Sequence, residues 1–391
     1  MMCLASGFSP KIERLVDGIY PLPRQAAAVQ LAALERPLFF AALGVQASIL
    51  VFIYCSQAAA RLRTAMAAVL AKTWLCGAAM AAALVAALSV IALPVTWYAS
   101  YTLPHRFGLS RQPQLGWLRD WAIETMLSVA VAAFVGGLFF AAVGRFRRRW
   151  PLAAAVAAAP LIVFGNAVYP VYVAPLFNTY TPLPPSQLQH AILSLAAHEG
   201  ISTSVVYEYD MSRQTTADNA YVAGIGRTER IAVGDNLLRD LLPAETLYVL
   251  AHEMGHYKLG HLWLGSLYAW IGTAAAIAIV AWLGGALCAR SPRCSSGIGD
   301  PAALALIGAL LCAYALVSMP IANGLSRRIE AAADDFAATQ TNLGDAGIRA
   351  FARLGAKDLT PMHPSKLAVW FFYTHPPLDE RIRAAAAGSR R

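Results

Sequence analysis

Six stretches of this chain, at about 37–59, 73–96, 121–143, 152–173, 263–287 and 302–322, are apolar for longer than most soluble folds tolerate. A ~30 Å hydrocarbon core is crossed by ~20 apolar residues of helix, and each stretch meets that length. Inside a bilayer every backbone N–H and C=O must be satisfied within the segment, so each stretch is expected to be a helix. Hydrophobic residues make up 58% and charged residues 14%, with a mean hydropathy of +0.51, which excludes an ordinary soluble protein. The formal net charge is +9. A basic balance can mark a nucleic-acid binder, but here arginines cluster at the ends of apolar runs, as at Arg61, Arg63, Arg145, Arg147, Arg148 and Arg149. Membrane anchoring explains them better, with a lipid bilayer and no nucleic acid as partner. Trp97, Tyr98 and Tyr101 fall where an interfacial aromatic belt would lie, and Pro170 and Pro175 break the fourth run as it leaves the membrane.

Between the fourth and fifth runs stands Leu250-Ala251-His252-Glu253-Met254-Gly255-His256. Residues four apart share a helix face, so His252 and His256 can point at one ion. Glu253 is about 100° round the helix, within reach of a metal-activated water without being a ligand. Two imidazoles and one further ligand leave zinc with an open position for that water, and the carboxylate can take its proton. With 8 His and 10 Glu in 391 residues, random placement yields the pattern in about 0.4 per cent of such chains, so two unrelated surface histidines are the weaker reading. His261 follows His256 by five residues, an offset that takes it off the ligand face. It is expected at a helix end near the membrane interface, with His190 and His198 at the surface.

The chain divides accordingly. Residues 1–36 lack the layout of a signal peptide and read as a cytoplasmic arm or interfacial helix. Residues 37–175 form a four-span region, 176–261 the first part of a zinc protease domain, 262–322 a membrane hairpin and 323–391 the second part of the domain. Within the first part, Ser186 to Gly200 has helical periodicity, while 204–209, 220–224 and 230–233 read as strands, the last two joined through Gly224-Ile225-Gly226-Arg227. A helix starts at Pro243, with Glu245 in its first turn, and carries the two histidines. It follows polar sequence (Arg239, Asp240), so the motif lies outside the bilayer. Six spans put both termini and the protease domain on one side, but lysine and arginine in short loops are too evenly divided to say which. The six cysteines show no Cys-x-x-Cys spacing, and buried free thiols are expected. Cys288 and Cys294 flank a short loop, and whether they pair stays open.

After the hairpin, Glu330 and Asp334 lie four apart on a helix. A carboxylate from a second helix completes a His₂Glu site, with Asp334 placed to orient a ligand histidine. Alone, Glu330 would more readily be read as a surface partner of Arg327 or Arg328. Here the chain resembles the type I CAAX prenyl proteases, membrane zinc metalloproteases of eukaryotes with bacterial relatives. The resemblance runs from about residue 75 onward through Leu93-Pro94, Tyr98, Phe107-Gly108-Leu109, Tyr169-Pro170, Pro175-Leu176-Phe177-Asn178, Thr181-Pro182-Leu183, Asn219-Ala220-Tyr221, the His-Glu-x-x-His motif, Glu330, Asp334, His375-Pro376-Pro377 and Glu380-Arg381. The zinc motif is shared by many peptidases, whereas the membrane-loop matches are specific to this family.

The resemblance implies an α-helical polytopic membrane protein whose spans enclose a chamber, with an α+β gluzincin-like protease domain split by the membrane hairpin. His252, His256 and Glu330 would ligate one zinc ion per chain, with Glu253 as general base. Asp334 matches an acid behind the ligands that is sometimes assigned as proton donor. Asn219 matches a residue contacting a substrate that adds to an edge strand, and His375 and Arg381 match groups near the oxyanion. Family substrates are prenylated proteins that lose a C-terminal tripeptide. Three departures stand out: Ala331 where an aromatic is common, Ala217-Asp218 where His-Ser precedes Asn-Ala-Tyr, and residues 1–35 too polar for the extra N-terminal span of eukaryotic members. Without that span the N-terminus and active site fall on the cytoplasmic side, in a bacterial inner membrane or an ER-type membrane. Two alternatives remain: a quality-control metalloprotease of broader specificity, and an inactive scaffold or channel relative. Intact His252, Glu253, His256 and Glu330 speak against the second.

Overall fold

The computed structural model describes residues 8–224, 229–294 and 296–388. The chain opens with α1 (Pro10–Ile19), α2 (Leu22–Cys55), α3 (Ala58–Ala67), α4 (Thr73–Trp97) and the short α5 (Leu103–Arg106). α6 (Gln114–Phe146) and α7 (Trp150–Val168) follow as a hairpin closed at Arg147, whose φ is +48°. Then come β1 (Tyr180–Pro182), α8 (Gln187–His198), β2 (Val206–Tyr209), β3 (Ala220–Ala223), β4 (Arg230–Gly234), α9 (Asp235–Asp240) and α10 (Pro243–Lys258). The rest is α11 (His261–Ile279), α12 (Gly285–Ala289), α13 (Leu304–Gln340), α14 (Gly344–Asp358), α15 (Lys366–Phe372) and α16 (Leu378–Gly388).

Five continuous helical stretches among the described residues are long and apolar enough to cross a membrane: Leu22–Cys55, Thr73–Arg106, Gln114–Leu176, His261–Ala289 and Pro301–Gln340. The third holds the α6–α7 hairpin and so crosses twice, which gives the six expected crossings. Cross-links fix the direction of α7: Asn166 donates to the Ser266 hydroxyl (3.1 Å) and the Trp270 indole N–H to the Ala155 carbonyl (2.8 Å). Large apolar side chains on these helices face outward, with Phe52 at 69%, Trp282 at 77% and Val317 at 77% exposure, as lipid-facing surfaces require. Between the spans lies an apolar cavity of about 690 Å³, lined in part by Phe139, Trp150, Ala157, Ile277 and Leu311.

Two helices run past the span limits read from the sequence. The helix that holds the span expected from 37, α2, starts at Leu22, where Pro23 is well placed in a first turn and an alanine-rich stretch favours helix. Residues before 37 pack on the second part of the polar domain. Val16, Tyr20, Ala28 and Leu31 share a buried cluster with Phe351 and Ile382, and the Tyr20 hydroxyl donates to the Thr360 carbonyl (3.0 Å). The helix that carries the last span does not end near 322. α13 runs unbroken through Pro320 into the polar domain, because the residues after it (Arg327, Glu330, Ala331 to Ala333) are good helix formers.

The sheet has the order β1-β2-β4-β3, with β2 and β4 parallel and the outer pairs antiparallel. Registers are Tyr180 opposite Tyr209, Val206 opposite Ile231 and Ala220 opposite Val233. The expected β3–β4 pairing is present, while its turn at 225–228 lies outside the described residues. β1 was not foreseen, since three residues ending in proline carry no strand periodicity. α10 is the centre of the domain: Leu250 and Met254 face the sheet cluster with Val206, Ile231 and Val233, whereas Tyr248 and Ala251 face the cluster of α13, α14 and α16.

Candidate metal centre

A helix buried on two faces has one left to carry chemistry. The start of α10 is clamped by Glu245, fully buried, whose carboxylate accepts the Leu242 N–H (3.1 Å) and the Arg349 Nε–H (3.0 Å) and forms an ion pair with Arg353 (Nε to Oε2 3.0 Å). A carboxylate in the first turn also suits the helix dipole. The remaining face turns toward α13. There Gly255 lets the helices touch, because a Cβ on it would meet the Phe336 ring at 3.0 Å.

Three donors converge at this contact. His252 Nε2 lies 3.1 Å from His256 Nε2, and Glu330 Oε2 lies 3.3 Å from the first and 3.6 Å from the second. Donors about 2.0–2.1 Å from one tetrahedral zinc stand about 3.3 Å apart, so the spacing fits. His252 Nδ1 is 2.9 Å from Asp334 Oδ1, an ion-pair contact that turns Nε2 toward the other donors. Two ring nitrogens and a carboxylate oxygen aimed at one spot can share a cation. Among the described residues this is the one group of three or more His, Cys, Asp and Glu donors able to share an ion.

Positive charge is favoured at this spot. Burial works against charge on His252, but Asp334 and Glu330 outweigh it and push its pKa up to about 9. Burial likewise opposes ionisation of Glu330, yet the two histidines hold it well below the ordinary carboxylate range. Glu253 moves the other way: burial raises its pKa against the pull of His252 and His256, toward what a general base near neutral pH requires.

Behind the donors, Arg381 grips Asp334 with two bonds (Nε to Oδ2 2.9 Å, Nη2 to Oδ1 2.7 Å) and lies 4.3 Å over the Phe351 ring. Burial opposes charge on Asp334, but His252 and Arg381 keep its pKa lowered. His375 is half-exposed, with Nε2 3.2 Å from Glu330 Oε2 and Nδ1 2.9 Å from the Thr374 hydroxyl. Asn219 is exposed just before the edge strand β3, and its carbonyl accepts the Gly234 N–H (2.8 Å). A cleft of about 600 Å³ joins Asn219, Tyr248, His252, Glu253, His375 and Arg381.

His261 stands at a helix end and outside the donor group, as expected, but it also touches the site. Its Nδ1 lies 2.9 Å from His256 Nδ1, and it is buried. The five-residue offset does not show this contact because it assumes one helix. α10 ends at Lys258 and Gly260 takes φ +67°, so the chain folds back and delivers His261 from α11. Gly260 was the signal available in the sequence.

A peptidase-type metal site at the mouth of a bundle of membrane spans defines a membrane metallopeptidase. Comparison with known proteins gives the family. The sequence profile of peptidase family M48 matches residues 182–388, and that of the CAAX prenyl protease N-terminal domain, described as five membrane helices, matches residues 26–179. The chain belongs to peptidase family M48. It is 30% identical over 303 residues to the uncharacterized metalloprotease YhfN of Bacillus subtilis (strain 168), covering 76% of this chain and 70% of that one. It is likewise 30% identical over 307 residues to the CAAX prenyl protease 1 homolog of Arabidopsis thaliana, covering 75% and 69%. Its fold matches the crystal structure of S. mikatae Ste24p with a TM-score of 0.79 at 22% identity, over 96% of this chain and 93% of that one. The protein is therefore a multi-pass membrane metalloendopeptidase of a zinc-dependent family, acting on peptide or protein substrates.

Proposed function

We propose that this chain cleaves peptide bonds near the C-terminus of prenylated proteins, using one zinc ion held by His252, His256 and Glu330 on the cytoplasmic side of the membrane. The observation that carries the proposal is the convergence of those three donors on two helices, with Glu253 in the adjoining cleft. Zinc bound there supplies the electrophilic centre that activates a water and polarises the scissile carbonyl. Glu253, with its raised pKa, takes a proton from the attacking water and passes it to the leaving amide nitrogen. His375, half-exposed at the donors, is placed to donate to the developing oxyanion.

Asp334 and Arg381 act as a positioning pair. Both carboxyl oxygens of Asp334 are engaged and its pKa is lowered, so it stays ionised, holding His252 in the ligating tautomer rather than delivering a proton. β3 is the last strand in the sheet order and packs beside α10, which favours a substrate lying along it as an added strand within reach of Asn219. The prenyl preference rests on the relatives named CAAX prenyl protease 1.

Purified protein in detergent, with Glu253→Ala as blank, would be given a C-a-a-X peptide in farnesylated and unmodified forms, and products weighed by mass spectrometry. Cleavage after the cysteine of the farnesylated peptide alone is expected. Cleavage of both at scattered positions would replace the prenyl reading with broad specificity.

A further inference from the structure

The far end of the molecule holds two thiols that neither the fold nor the hydrolysis requires. From His261 the chain runs through α11 and α12 to Ala289, and α13 brings it back from Leu304 to Glu330. At about 1.5 Å per residue each leg spans about 40 Å, so the connection between them lies across the membrane from the metal donors. Cys288 in α12 and Cys294 in that connection meet there, with their sulfurs 3.1 Å apart and residue exposures of 1% and 5%. They sit among Trp150, Ala303, Leu306 and Ile307, an apolar setting in which no third metal ligand lies among the described residues.

We infer that Cys288 and Cys294 form a disulfide in the mature protein. The inference rests on the cytoplasmic placement of the metal site proposed above, which puts this connection on the oxidising side of the membrane. Sulfurs already in contact need only a small side-chain rotation to reach the bond length of about 2.05 Å. In the exchange each thiol loses its hydrogen as the Sγ–Sγ bond forms. Both protons and both electrons pass to the disulfide of an exported thiol oxidase, which leaves as a dithiol. The exchange takes place as the connection emerges, before the apolar cluster closes over the sulfurs. The bridge then fastens the end of α12 to the segment leading into α13, the helix that carries Glu330.

The test uses the full chain in native membranes, acid-quenched, denatured and alkylated with iodoacetamide without reductant. Tryptic cleavage at Arg290 and Arg293 leaves the two cysteines on separate peptides joined only by a bridge. One cross-linked species that separates on reduction is expected, with the alkyl group on Cys312, which shares the Cys294 peptide, located by fragmentation. Full alkylation of both cysteines, or a bridge from either to another cysteine, overturns the inference. Sidedness is read separately in a variant with serine at every native cysteine and Ser296→Cys, an exposed position, using a membrane-impermeant maleimide on intact cells. External labelling with free native thiols would sink the disulfide alone. Labelling only after permeabilisation would sink the cytoplasmic placement of the metal site, and the disulfide with it.

Discussion

In the proposed mechanism Glu253 and His261 both serve the metal, one from the cleft and one from behind, and their substitutions should separate chemistry from binding. Glu253→Ala removes the base but no donor. Hydrolysis should fall by at least about 100-fold with zinc content unchanged, and metal loss in that variant would contradict its role as base. His261 faces the ring nitrogen of His256 that does not point at the donors, and burial followed by the charge of His256 lowers its pKa, so it stays neutral and can accept. His261→Phe should weaken zinc binding about 10- to 100-fold in chelator competition; an unchanged curve would mean the contact does nothing for the metal. Asp218, in the wall of the same cleft, carries a cost instead. It is buried, and neither carboxyl oxygen finds a hydrogen-bond partner among the described residues. Burial lifts its pKa to about 6, with Lys357 opposing and Asp240 adding. A folded pKa above the unfolded value of about 3.9 means that the native state binds this proton more tightly. That stabilisation is fully present below the unfolded pKa and is lost as pH rises through about 6. Asp218→Asn should therefore melt with wild type at about pH 4 and several degrees higher at about pH 8. Equal melting temperatures at both values would contradict the burial argument.

At the scale of elements, the site is the contact of α10 with α13. Gly255 sets its closeness, so Gly255→Ala should press on Phe336, spread Glu330 from the histidine pair and lower both zinc occupancy and hydrolysis. Phe336→Leu in the same chain should recover much of the loss; failure of that rescue would point to a cause other than crowding. The donors themselves were legible in the sequence because their spacing is periodic: four residues place His252 over His256, and Glu330 over Asp334. What periodicity does not encode was missed. The grip of Arg381 on Asp334 joins residues 47 apart in sequence, and the His256–His261 contact depends on a left-handed turn at Gly260. β1 escaped because Tyr180–Pro182 is held by its pairing to β2 and by no pattern of its own.

At the scale of the whole molecule, one zinc would tie together parts far apart in the chain. α10 follows directly after the sheet, whereas α13 reaches the site from the other side of the membrane. Composition alone marked the apolar helices, but it did not show that the last of them continues as one α13 into the polar residues after 322. Stripping the metal should thus loosen the helix contact: excess chelator should lower the melting temperature of the wild type and leave that of Glu330→Ala unchanged. Equal shifts in both would mean that the stabilising ion sits elsewhere. The central claim is most directly tested by elemental analysis and peptide hydrolysis run together on purified wild type, Glu253→Ala and Glu330→Ala. The account predicts about one zinc per chain in the first two, hydrolysis in the first alone, and most of the metal lost from the third. Full zinc in Glu330→Ala would contradict it.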